Sequence, residues 1–143
     1  MFPEKLRKQA VEIGQVLKMD MFSSDRVTPK NNADHKVKRF VIIGKQDNRL
    51  IAALLINSQI NPRLFMKIGP FQHAISKDKY DFLEHDSYID GYTVREFDVA
   101  RVLKSARYLG SIDADDFNAA VNHVCESPDV KPYILKKYGL MKK

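Results

Sequence analysis

The stretch KVKRFVIIGKQDNRLIAALLINSQ, residues 36–59, decides the fold. Two continuously apolar runs, VKRFVIIG at 37–44 and LIAALLIN at 50–57, flank the polar connection KQDNR at 45–49. Runs of this length bounded by turn residues read as strands, and the short polar link makes them a hairpin. Neither run alternates apolar with polar residues, which is the pattern of a central strand buried on both faces. A sheet with two covered faces is therefore expected around this hairpin.

Working outward, GQVLKMDMF at 14–22 alternates enough to be a further strand, and Gly14 separates it from an amphipathic helix over Pro3–Ile13. In that helix Leu6, Ala10 and Val11 fall at helical spacing among charged residues. Between the strands, Ser23–Lys36 is polar, basic and carries Pro29 and Asn31-Asn32, so it reads as a long loop. Loops this long in compact domains are usually functional or disordered. Residues 71–76 (FQHAIS) and 87–93 (SYIDGYT) read as two short strands, and 94–105 as helical or irregular with Val99, Val102 and Leu103 turned inward. Ser111 or Asp113 then caps a helix with Asp115 and Asp116 in its first turn and an apolar stripe of Phe117, Ala120, Val121 and Val124. Ser127-Pro128 and Lys131-Pro132 suit helix entrances. Gly139 and Leu140 stand where a helix C-terminus places C′ and C″. The order predicts an α+β fold: a small antiparallel sheet or barrel with an N-terminal helix and C-terminal helices. It reads as one domain over 1–143, with a barrel-like core at 14–105 and a helical addition at 111–140.

Composition narrows the function classes. The 143 residues are 44% hydrophobic and 29% charged, which is globular usage. No apolar run approaches the roughly 20 residues that span a bilayer. The start, MFPEKLRKQAVEIG, places charges where a signal peptide needs an apolar region, so a cytoplasmic chain without membrane contact is expected. The single Cys125 forms no internal disulfide framework, and its neighbours Val121 and Val124 make it a buried structural thiol. The net charge of +6 is uneven: residues 1–50 hold 11 Lys/Arg against 6 Asp/Glu, and residues 51–100 hold 5 against 7. A basic region between Arg26 and Arg49 is the expected face for a polyanion.

Motifs for phosphate-cradling glycine loops, zinc proteases and EF-hands are absent from the sequence, and His35, His73, His85 and His123 lack ligand spacing. No metal and no cofactor are expected. Lys36, Lys38 and Arg39 stand where the basic loop enters the first core strand, and a guanidinium there would clamp a phosphate. Asn57-Ser58 ends the neighbouring strand; an amide and a hydroxyl hydrogen-bond a phosphate there, or simply begin a turn. In EHDSYIDGY, 84–92, strand geometry puts Ser87, Ile89 and Gly91 on one side and Tyr88, Asp90 and Tyr92 on the other. That spacing is no Ser-His-Asp triad, because adjacent residues do not converge on one point.

The succession GQVLKMD, polar loop, KVKRFVIIG, RLIAALLINSQ and HDSYIDGYTVREFDVARVL resembles the MazF/PemK-like toxin family over about residues 14–105. Gly14-Gln15 stands at the family's Gly-Asp, Lys38-Arg39 at its Arg-Pro and Asn57-Ser58 at its Thr-Ser. Gln15, Phe40 and Asn57 depart from the usual acid, Pro and Thr. The resemblance implies an SH3-like barrel and a metal-independent, sequence-selective endoribonuclease of a toxin–antitoxin or mobile-element system. On it, Arg39 and Ser58 carry the chemistry. Lys36, Lys38, Asn57, Arg26 and Lys30 bind the RNA, and His35 or His85 supplies the acid or base, imidazole being the side chain that titrates near neutrality. An antitoxin protein and a second copy of the chain are the further partners implied. The departures leave a second reading open, a non-catalytic barrel that binds a protein or nucleic acid.

Overall fold

The computed structural model describes residues 11–27 and 35–141. The hairpin at its centre is β2 (Lys36–Gln46) and β3 (Leu50–Asn57), paired antiparallel from Arg39↔Ile56 to Gln46↔Leu50. β1 (Gln15–Met21) lies on the outer side of β2 and is itself flanked by β7 (Arg107–Ser111). The other edge of β3 is shared. Its first half pairs with β6 (Arg95–Asp98) and its end with β5 (Ser87–Asp90), which carries β4 (Gln72–Ile75) beyond it. The sheet order is β4-β5-β3-β2-β1-β7, with β6 branching from β3. Among the described residues no pairing joins β4 to β7, so the sheet is a curled, antiparallel half-barrel with helices.

The continuous apolar runs are explained by two cores, one on each face. Phe40, Ile42, Ile51, Ala53 and Leu55 join Leu17, Met19 and Phe97 on one face, closed by α2 (Val99–Ser105) through Val99 and Val102. Val41, Ile43, Ala52, Leu54 and Ile56 fill the opposite face, covered by α3 (Ala114–Glu126) and α4 (Pro132–Lys137). Burying both faces removes any advantage of polar alternation, so the sequence carries none. Gly44 lets α4 approach: a Cβ there would come within 2.7 Å of the Tyr138 Cβ. The exit from α4 is a Schellman turn, with the Gly139 N–H on the Lys136 carbonyl, the Leu140 N–H on the Leu135 carbonyl, and Gly139 at φ +66.

Other expectations need revision. Eight of the residues assigned to an N-terminal helix, 3–10, lie outside the described residues, and Val11–Ile13 form a bend and turn. Residues 95–98 are strand, and α2 begins only at Val99, because β6 finds a free edge on β3. The expected strands at 71–76 and 87–93 are shorter, at Gln72–Ile75 and Ser87–Asp90. Ser127-Pro128 opens no helix: Ser127 ends α3, and its hydroxyl donates to the Tyr92 carbonyl at 2.6 Å. β7 and the one-turn α1 (Phe65–Ile68) carry no signal strong enough to read from sequence, β7 being a short edge strand, exposed or half-buried along its length, with no alternation. The partly buried Cys125 thiol donates to the Leu140 carbonyl at 3.0 Å, tying α3 to the chain end.

Candidate nucleic-acid interface

Where β2 begins and β3 ends, the half-barrel leaves a groove of about 720 Å³. The start of β2 lends it Lys36, Lys38 and Arg39, and the end of β3 lends Asn57 and then Ser58. Arg26 enters from the turn after β1, and His85 from the segment before β5. Seven sequence candidates thus line one groove. Of the other two, Lys30 lies outside the described residues, and His35 stands off the lining, its ring 6.1 Å from Phe22 and its Nε2 3.7 Å from Asp20.

Strand alternation divides these groups between two sides of the sheet. Lys36 and Lys38 share the parity of Phe40 and Ile42, and Lys38 donates to the Asn57 side-chain carbonyl across the hairpin. Arg39 has the parity of Val41 and Ile43 and faces the other way, where its Nη2 donates to Glu84 Oε1 at 3.3 Å. The Arg39–Glu84 pair is exposed on the carboxylate side (73%) and less so on the guanidinium (25%). Such a pair adds little stability, of order 0–1 kcal/mol. Arg39 Nε, meanwhile, is buried without a partner among the described residues.

Sequence reasoning missed three charged residues of this groove, Glu84, Asp90 and Arg95. Glu84, whose contact with Arg39 spans 45 positions, is hidden in a polar loop. Arg95, at the start of β6, reads as one polar residue among many in TVREFD. Arg95 lines the groove with Nε and Nη1 buried and, among the described residues, unpartnered, while Nη2 donates to the Arg26 carbonyl at 3.2 Å. Burial, and then the positive charge of Arg26, lower its pKa from the ordinary arginine value. Arg26 stands at φ 63, an uncommon conformation for a side-chain-bearing residue, and donates to the Val94 carbonyl at 3.4 Å. The turn that presents it is held by a fork of two 2.7 Å bonds from Arg101 to Asp25, which lower the Asp25 pKa.

A second charged cluster lies at the first turn of α3. Asp116, with a side chain 12% exposed, accepts from the Tyr80 hydroxyl at 2.5 Å and from Lys79 at 2.9 Å, with His73 Nε2 at 2.7 Å. Burial opposes its ionisation, yet the bonds from Tyr80, His73 and Lys79 outweigh that and hold its pKa at about 2. Burial and the Asp116 charge push Tyr80 up to about 12, partly opposed by the Asp113 N–H bond. Asp113 caps α3 by accepting from the Asp116 N–H, as the sequence anticipates. This cluster joins β4, the 76–83 segment and α3, and it is satisfied from within.

Among the described residues no group of three or more His, Cys, Asp or Glu is placed to hold a metal ion, and no helix is long and apolar enough to cross a membrane. No protein-family model and no curated protein matches the sequence. Among solved structures, the chain is similar to the MazE–MazF crystal structure (form III) from Deinococcus radiodurans, at TM-score 0.56 and 13% identity. The match covers 82% of this chain and 94% of that one, and likeness at this identity concerns the fold.

Proposed function

We propose that the chain is a toxin-type endoribonuclease that cleaves single-stranded RNA in the groove without a metal ion. The observation that carries the reading is the gathering of Lys36, Lys38, Arg39, Asn57, Ser58 and His85 in one groove of a MazF-like fold. The 2′-hydroxyl oxygen bonds to the adjacent phosphorus as the P–O5′ bond breaks, leaving a 2′,3′-cyclic phosphate and a 5′-hydroxyl. Glu84, beside Arg39, takes the 2′ proton, and His85 gives one to the departing 5′ oxygen. Arg39 stabilises the charge that builds on the phosphoryl oxygens, and Asn57 and Ser58 orient the phosphate. Lys36 and Lys38 hold the strand through backbone phosphates. The half-barrel is in this account the MazF-like form of an SH3-like barrel acting in the cytoplasm, with a protein antitoxin and a second copy of the chain as partners.

The test is incubation of a long single-stranded RNA with purified protein in chelator, followed by end analysis. Fragments with cyclic phosphate and 5′-hydroxyl ends are expected, with Arg39→Ala inactive. RNA left intact at low salt would remove the catalytic reading.

One observation favours the non-catalytic alternative. Lys38 and Arg39 are both engaged internally, by Asn57 and Glu84. A groove that binds RNA with these pairs intact would hold the strand without cutting it. Tight binding of intact RNA, unchanged by Glu84→Gln, is the result that selects it.

A further inference from the structure

The groove holds one pair of cations that the chemistry above does not use. Arg26 and Arg95 stand against each other through the Arg95 Nη2 bond to the Arg26 carbonyl. Among the described residues neither makes an ion pair, each donating only to a backbone carbonyl. Three carboxylates lie near enough to act on Arg95 electrostatically, Asp90, Asp129 and Asp25. Each is committed elsewhere. Asp90 accepts from Gln72 and the Tyr92 N–H, Asp129 from Thr93, and Asp25 from Arg101. Two like charges are thus brought together with carboxylates near them but none in an ion pair, and two of the Arg95 nitrogens are buried with no acceptor among the described residues.

An arrangement that a chain does not satisfy from within is completed by a ligand of opposite sign. Guanidinium pairs match the oxygens of a phosphate group. Ala53, the β3 residue paired with Arg95, belongs to the Phe40 face of the sheet, whereas Arg39 has the parity of the opposite face. The geometry points to a second phosphate subsite, built from Arg26 and Arg95 and separate from Arg39, that holds a phosphate of the bound strand away from the one that is cut. Its RNA ligand rests on the reading of the groove as an RNA site; its affinity for phosphate does not.

Two titrations test it on the full chain. One follows inorganic phosphate by calorimetry. The other follows a 2′-O-methylated oligonucleotide, which cannot be cleaved, by fluorescence anisotropy over a range of salt. Arg26→Asn retains a residue that tolerates the left-handed backbone, and Arg95→Met tests the partner. Lys104→Ala, on the exposed side of α2 and off the groove, is the charge control. Wild type should bind phosphate saturably, and Arg26→Asn should abolish this. The same variant should weaken the oligonucleotide about tenfold and flatten the slope of log K against log salt by about 0.7. Lys104→Ala should leave phosphate binding unchanged. No saturable phosphate binding by wild type, or equal losses in Arg26→Asn and Lys104→Ala, would overturn the subsite. If Arg95→Met does not fold, Arg26→Asn decides alone. Phosphate binding without RNA binding would uphold the subsite and defeat the RNA reading. A gain from a terminal phosphate larger than from an added nucleotide would identify a terminal monoester as the occupant, and equal gains an internal diester.

Discussion

The groove at the mouth of the half-barrel and the Asp116 cluster under α3 are both rich in charge, yet they are built on opposite plans. Around Asp116, three donors converge on one carboxylate, and the cluster's acids and bases answer one another. In the groove, among the described residues, Arg26 and Arg95 form no ion pair, and nitrogens of Arg39 and Arg95 are left over. Charge that is answered internally fastens elements together. Charge left unanswered beside an open groove costs stability, and the proposed ligand would answer it. The difference separates fold from function more sharply than charge density does.

The largest effect should fall on Arg39. Its replacement by Ala is expected to slow RNA cleavage about 10³-fold, the upper range for losing one donor to a developing oxyanion. Because its pair with Glu84 is exposed on the carboxylate side, the thermal midpoint should barely move. A large fall in stability with cleavage intact would reverse the contrast between the two regions.

Asp116→Ala should do the opposite. Removing the carboxylate strands the Tyr80 hydroxyl and His73, while Lys79 keeps Asp113 at 2.6 Å, and a loss of about 2 kcal/mol in denaturant unfolding is expected. The Asp116 pKa gives the pH form of the same prediction. Its folded value, about 2, lies below that of an ordinary carboxyl, so its contribution is complete above about pH 4 and disappears as pH falls through about 2. That loss should amount to about 2 kcal/mol, and Asp116→Asn should show a flatter acid limb. Acid limbs of equal slope would mean that the cluster does not fasten α3.

How much of this division was legible in the sequence depended on whether a signal was local. The 37–44 and 50–57 runs announce their strands because burial on both faces needs only contiguous apolar residues. Asp113 and Gly139 announce helix ends because capping is settled within a few positions. Arg39, Asn57 and Ser58 come together through one short hairpin, so their common groove could be anticipated. Arg95 and Glu84 could not. The partners of Arg95 and Glu84 lie 69 and 45 positions away, and a lone Arg or Glu in a polar stretch looks like solvated surface. β6 was missed for a related reason: REFD becomes a strand only because half of one β3 edge is left for it.

The smallest effect belongs to the fastening of α4. The Tyr138 hydroxyl donates to Glu96 at 2.6 Å, and Lys137 adds a 2.7 Å contact to the same oxygen. Tyr138→Phe should cost about 1 kcal/mol in denaturant unfolding and leave RNA affinity unchanged, since the ring still packs on Gly44. An altered RNA affinity would show that the helical end communicates with the groove.

A residue-resolved NMR titration with a non-cleavable single-stranded RNA tests whether RNA occupies the groove. Saturable shifts are expected at Arg26, Lys36–Arg39, Asn57, Ser58, Glu84, His85 and Arg95, with His73, Lys79, Tyr80 and Asp116 unmoved. Shifts centred on the Asp116 cluster, or spread evenly over the basic surface, would contradict that occupancy.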